Sequence, residues 1–227
     1  MSRRTFYILR HGQTEWNVAR RMQGHRDSPL TRLGRAQADL HGRTLAREGG
    51  VEALIASPLG RTRDTAELVN AHLAVPVRFE AVLMERDCGV WSGLTLDEIE
   101  HGWQAEWRAR SADPYYHRPP EGENLVDMEA RVSGLVDALL GAPERTLALV
   151  THGVMSRVLI KRLLDLDPAD AVLVRHPNEL FYRLELDARS GPTSAYYFDG
   201  RGPTPGLLRQ NDSETIPAGR RSRPPGQ

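Results

Sequence analysis

The 227-residue chain has a single cysteine, Cys88. No disulfide can form within it, so its stability has to come from burial. Basic and acidic residues balance at 30 each. With no excess charge, nothing draws the chain as a whole to nucleic acid or an anionic membrane, and any anion site must be a local cluster of arginines. No apolar run approaches the length that spans a bilayer. The first one, Phe6 to Leu9, is too short for the hydrophobic core of a signal peptide. Both absences point to the cytoplasm. There is no internal repeat, and no His-Glu-x-x-His or comparable ligand spacing that would mark a metallohydrolase. What is present is 40% hydrophobic and 26% charged residues, ordinary globular composition, long enough to bury a full core.

The pattern along the chain predicts an α/β fold: a mainly parallel sheet flanked by helices on both faces, with a helical and loop insertion over its carboxyl edge. Thr5–Leu9, Ala53–Ala56 and Thr146–Val150 are short, apolar and β-rich, and Val75–Leu83 is a weaker strand region. Leu180–Leu186 and Ser194–Phe198 read as a late, antiparallel pair. Thr31 is placed to cap a helix whose stripe is Leu33, Ala36, Leu40 and Thr44, ended by Gly49-Gly50. A second helix buries Thr62, Ala66, Val69 and Leu73. A third begins at Asn124 and carries Leu125, Met128, Val132, Leu135 and Leu139, and a fourth runs from Val154 to Leu166. Residues 1–199 are expected to form one domain, with the insertion over about 85–124, and 200–227 a flexible Gly-, Pro- and Arg-rich tail. Within the insertion Thr95-x-x-Glu98 is a capping box, and Ile99, Trp103 and Trp107 line up one turn apart as packing.

One local pattern recurs. A strand runs into a polar residue, then His-Gly, then a helix, first at His11 and again at His152, while the strand ending at Ser57 leads to Arg61. Sites in open α/β sheets form beyond the carboxyl ends of parallel strands. Two histidines and two arginines, Arg10 and Arg61, therefore converge on one edge. Guanidinium forks match phosphoryl oxygens and spread their charge, and a neutral imidazole is a competent nucleophile. This set still needs a proton donor for a leaving alcohol.

Arg10-His11-Gly12-Gln13-Thr14-Glu15-Trp16-Asn17, Gln23-Gly24, the run from Ser57 to Ala66, Glu85 with Gly89-Val90-Trp91-Ser92-Gly93, and Thr151-His152-Gly153 occur in the order found in the histidine phosphatase superfamily. The chain resembles in particular its branch of small phosphatases and cofactor-dependent phosphoglycerate mutases, over residues 5 to 186. The resemblance implies His11 as the nucleophile that becomes phosphohistidine, Arg10, Arg61 and His152 as the phosphate pocket, and Glu85 as the acid that protonates the leaving oxygen and later deprotonates water. It implies Thr14, Asn17, Gln23 and Gly24 at the mouth for substrate, and neither metal nor cofactor.

Within that branch the residues favour hydrolysis of a small phosphorylated metabolite. The mutases follow Glu-Arg with a tyrosine and carry an adjacent arginine pair. Here Glu85-Arg86 leads to Cys88 at the tyrosine position, and Arg108 and Arg110 are separated. The short run Pro119 to Asn124 resembles that of the phosphatases. A mutase and a silent phospho-ligand binding module are the alternatives. Nucleic acid and membrane partners are not expected, and a homodimer is left open. Cys88 and Trp91 read as packed residues. Tyr115, Tyr116, His117 and Arg118 read equally as substrate contacts or a solvated loop, and Arg220, Arg221 and Arg223 as a solvated tail.

Overall fold

A computed structural model describes residues 3–187, 191–209 and 215–216. Its centre is a seven-stranded sheet in the order β3-β2-β4-β1-β5-β6-β7. β1 (Arg3–Arg10), β4 (Thr146–Thr151), β2 (Ala53–Ala56) and β3 (Val77–Phe79) run parallel, and β5 (Phe181–Asp187), β6 (Gly191–Phe198) and β7 (Pro203–Pro205) extend the sheet antiparallel. Side chains alternate across a strand, so the apolar runs of β1 and β4 feed two cores. Phe6, Ile8, Leu147 and Leu149 join one with α6 (Leu125–Gly141) and α7 (Gly153–Leu164). Tyr7, Leu9, Ala148 and Val150 join the other with α2 (Arg32–Glu48) and α3 (Gly60–Leu73). Both faces are covered, as unbroken apolar strands require.

The central order β2-β4-β1 sets three strand ends side by side. Ser57 N–H donates to Val150 at 3.0 Å and His11 N–H to Thr151 at 2.9 Å. Ser57, His152 and His11 thus follow directly from adjacent strands at the same edge, as the recurring sequence pattern predicted.

Several expectations are corrected. Leu33 and Leu40 of α2 are 54% and 47% exposed, and the buried face is Gly34, Ala38, His41, Gly42 and Leu45. Close approach chose that face: a Cβ on Gly34 would stand 2.0 Å from the Gln13 carbonyl oxygen, and one on Gly42 2.8 Å from that of Val69. Val75–Leu83 holds only the three residues of β3, then a turn of 3-10 helix at Ala81–Leu83. Trp103 does not continue the helix of Ile99. α4 (Leu96–Gly102) ends at Gly102, Trp103 leaves the helical region with φ −137°, and α5 (Gln104–Ala112) starts afresh. Ile99, Trp103 and Trp107 still pack together with Trp91 and Cys88 in a small core of their own.

Residues 203–208, within the stretch expected to leave the fold, continue it. β7 pairs with β6, and β8 (Leu207–Leu208) pairs with β9 (Thr215–Ile216). Leu207 is fully buried, and Arg175 N–H donates to Leu208 at 2.8 Å. The prolines that argued against a strand are tolerated because β7 is the sheet edge. Residues 217–227, with Arg220, Arg221 and Arg223, lie outside the described residues. A short helix, α8 (Pro168–Leu173), had no sequence expectation. No helix among the described residues is long and apolar enough to cross a membrane.

Candidate active site

A cavity of about 240 Å³ opens at the carboxyl edge of the sheet, lined by Arg10, His11 and Arg61 together with Glu85. His11 is 2% exposed, and its ring centroid lies 5.3 Å from that of His152. His11 Nδ1 is 2.8 Å from the carbonyl oxygen of Gly12. A carbonyl only accepts, so Nδ1 carries the proton and the lone pair is on Nε2. Burial, then Arg10 and Arg61, hold the imidazole well below its ordinary value, so the ring is neutral, as a nucleophile must be. The backbone beneath it is fastened twice: Gly12 N–H donates to Thr65 Oγ1 at 3.1 Å, and Asn178 Nδ2 donates to the His11 carbonyl at 2.8 Å.

Both arginines are aimed by backbone carbonyls. Arg10 Nη1 donates to His176 O at 2.8 Å, and burial brings Arg10 down to about 10, still cationic at neutral pH. Arg61 sits in the first turn of α3. It donates to Arg26 O and Gly24 O, each at 2.8 Å, and to Asp27 Oδ1 at 3.0 Å. Asp27 also accepts from the N–H groups of Gly60 and Arg61, so one carboxylate caps α3 and orients the guanidinium. The Nε atoms of Arg10 and Arg61 are buried without a protein partner.

His152 is fully buried, with Nε2 2.8 Å from Ser57 Oγ. Its Nδ1 has no protein partner. Burial, then Arg61, keep this ring well below its ordinary value too. Glu85 is held at the start of α7, where Oε2 accepts from Val154 N–H at 3.1 Å and Oε1 from Met155 N–H at 3.1 Å and Arg86 N–H at 2.8 Å. Four expected residues, Arg10, His11, Arg61 and Glu85, line one cavity, with the His152 ring beside that of His11.

The expected mouth residues divide. Asn17, Gln23 and Gly24 line the cavity, and the Gln23 side-chain oxygen is buried without a partner. Thr14 does not line it. Its hydroxyl caps α1 (Glu15–Val18) by accepting from Asn17 N–H at 3.1 Å, and Thr14 N–H in turn donates to Asn17 Oδ1 at 3.0 Å. That capping box uses Asn17 Oδ1 and leaves its Nδ2 out of the bonding. Gly24 has φ +53°, and a Cβ there would meet Cys88 N at 3.1 Å. A glycine is what lets its carbonyl reach Arg61.

Sequence reasoning passed over the residues that aim the site: Asp27, His176 and Asn178. It also passed over Arg21 and Arg157, which line the cavity, and read Arg86 and Arg110, which line it too, only as marks that separate phosphatases from mutases. Arg157 left a signal, one helical turn after Val154 on the same face. Among the described residues no group of three His, Cys, Asp or Glu side chains is arranged to hold a metal ion.

Residues 6–198 match the family described as histidine phosphatase superfamily (branch 1). The chain belongs to that superfamily. A relative from Erwinia tasmaniensis, named probable phosphoglycerate mutase GpmB, is 39% identical over 167 residues, covering 73% of this chain and 76% of that protein. A mycobacterial glucosyl-3-phosphoglycerate phosphatase solved with VO3 is 30% identical at a TM-score of 0.74, covering 92% of this chain and all of the other. A structure titled mycobacterial hydrolase 1 is 33% identical, with a TM-score of 0.73 over 80% of this chain and 88% of its own. This member of the superfamily is similar both to a protein named as a mutase and to one named as a phosphatase.

Proposed function

We propose that the protein hydrolyses a small phosphomonoester, without a metal, through a phosphohistidine on Nε2 of His11. The observation that carries this reading is the His11 ring itself: neutral, its Nδ1–H spent on Gly12, its Nε2 lone pair in a cavity shared by two guanidinium groups. The phosphoryl group lies against Arg10 and Arg61, whose charge offsets that of its oxygens. Nε2 attacks phosphorus and the bond to the leaving oxygen breaks, with Glu85 giving that oxygen a proton. Glu85 then takes a proton from water, which attacks the phosphohistidine, releases phosphate and restores the imidazole.

A second reading, transfer of the phosphoryl group between substrate oxygens as in a mutase, is favoured by the naming of the 39% identical relative and by the Glu85-Arg86 pair. The two separate in one assay. Purified protein incubated with a phosphoglycerate is expected to release inorganic phosphate faster than it forms the positional isomer, with chelator making no difference, and the reverse order of rates would replace hydrolysis by mutation. Rapid quench with 32P-labelled ester should leave acid-labile, base-stable label on the wild-type protein and none on His11→Ala.

A further inference from the structure

A second cavity, of about 300 Å³, lies on the α2 face of the sheet, with His41, Glu179, Phe181 and Phe198 in its wall. It shares no lining residue with the active-site cavity, and its volume is at the lower end for small-molecule sites. Phe181 and Phe198 stack with ring centroids 4.6 Å apart and form an apolar wall. His41 stands edge-on to Phe181, and neither of its ring nitrogens has a hydrogen bond. The Glu179 backbone lies near enough to raise its proton affinity, but not in bonding geometry. Burial still brings the ring down to about 4. At neutral pH it therefore holds one N–H donor and one lone pair, both unused.

Buried polar groups in folded proteins have partners, and the rest of this wall offers His41 none. The Thr44 hydroxyl donates to the Leu40 carbonyl at 2.9 Å, and Glu48 pairs with Arg183 at 2.6 Å. Because the imidazole holds no bond, turning it toward the cavity breaks none. Arg47 and Arg201 also line the cavity and have no ion-pair partner among the described residues. Against them stands one unpaired carboxylate, that of Glu179, so the lining carries an excess of positive charge and favours an anion. The cavity also borders the segment that fastens the nucleophile. His176 accepts from Arg10 and Asn178 donates to the His11 carbonyl, each at 2.8 Å. Glu179 comes next in the chain, Phe181 two residues later, and Glu179 acts electrostatically on Arg10. A molecule packed on Glu179 and Phe181 bears on the backbone that places both groups.

We propose that this cavity is a regulatory site for a small aromatic carboxylate. The ring lies against Phe181 and Phe198, a hydroxyl or ring N–H meets His41, and the carboxylate meets Arg47 and Arg201. Occupation is transmitted to Arg10 and His11 through residues 176–181. The binding claim stands apart from the hydrolytic reading, because it is measured without turnover.

Calorimetry with inorganic phosphate saturating the active-site cavity measures binding of 4-hydroxybenzoate and of indole-3-carboxylate to the full chain. At least one should bind, with the same affinity for His11→Ala, and at least tenfold more weakly to His41→Phe and to Arg201→Gln. Arg201 is exposed, so its variant provides the measurement if His41→Phe does not fold. The uncharged 4-hydroxybenzyl alcohol should bind at least tenfold more weakly than the acid. The bound carboxylate should change kcat for p-nitrophenyl phosphate at least twofold at saturating substrate, which competition at the active site cannot do. No saturable binding of either carboxylate at millimolar concentration overturns the site, as does binding that a folded variant leaves unchanged or an alcohol that binds as tightly as the acid. Binding that leaves kcat unaltered overturns the regulatory role. If p-nitrophenyl phosphate is not turned over at all, the hydrolytic reading fails separately. The affinity for inorganic phosphate with and without the carboxylate then reads the transmission, a twofold change supporting it and equality overturning it.

Discussion

Lowering the pH from 7.5 to 5.5 should remove about 5 kcal/mol of folding stability, and the cause is four buried histidines. His11, His41, His152 and His176 are 2%, 3%, 0% and 3% exposed. Burial comes first for each: it brings His41 down to about 4 and, aided by nearby arginines, holds the other three well below the ordinary value of 6.5. In the unfolded chain all four titrate near 6.5. Above that value neither state is protonated and stability does not depend on these groups. Below it the unfolded chain binds four protons that the folded chain does not, so stability falls with pH. Each group contributes about 1.4 kcal/mol per pH unit in this window, whatever its folded value, as long as that value is not reached. The four together give a loss near 5 kcal/mol at pH 5.5, a large part of the roughly 5–15 kcal/mol a domain has. Urea unfolding followed by circular dichroism at the two pH values measures it, as a fall in midpoint of about 2 M for a slope of ~2–3 kcal/mol/M. His41 touches no ligand in the proposed reaction and packs edge-on against Phe181 at 5.4 Å, so His41→Phe should reduce the pH slope by about a quarter. A midpoint unchanged between pH 7.5 and 5.5 would refute the claim that these rings are held neutral.

Three further outcomes follow from single contacts. Asp27→Asn should lower kcat/KM by about tenfold because Arg61 loses one of its three anchors, and should reduce stability by only about 1 kcal/mol because Asp27 is half exposed. Unchanged kinetics would mean that the carboxylate only caps α3. Ser57→Ala leaves the buried Nε2 of His152 unpaired, at a cost of about 1–3 kcal/mol, and should reduce kcat with little change in fold by circular dichroism; wild-type turnover would show that Ser57 does not orient this ring. Gly34→Ala forces a Cβ to within 2.0 Å of the Gln13 backbone and should lower Tm by about 5–10 °C, and an unaltered Tm would mean that the loop carrying the nucleophile yields freely.

What the sequence made legible is what has a short-range signature. The strands of the inner sheet are continuous apolar runs, the capping box at Thr95 forms as local rules require, and the helix expected to begin at Asn124 does so. The motif residues sit at strand ends, where topology brings them together. The face of α2 was misread because glycine and histidine score as neither apolar nor packed, yet Gly34, His41 and Gly42 are what the neighbouring chain touches. Close approach between elements is a property of two segments and leaves no trace in one. β7 was missed for a related reason: proline is judged by the interior of a strand, and whether a strand is an edge is decided elsewhere in the chain.

The same distinction explains the arginines. A neutral total conceals the uneven placement of charge. Arg10, Arg21, Arg61, Arg86, Arg110 and Arg157 come from separate segments and line one cavity whose lining includes a single carboxylate, that of Glu85. Where such side chains serve only structure they are matched, as Arg131 is by Glu123. Of these six, Arg21 and Arg61 have ion-pair partners, Glu98 and Asp27, and both carboxylates stand outside the cavity lining. Gathered cations destabilise the free protein; Glu85 offsets only part of that charge, and a phosphoryl group bound against Arg10 and Arg61, as proposed, would offset more of it.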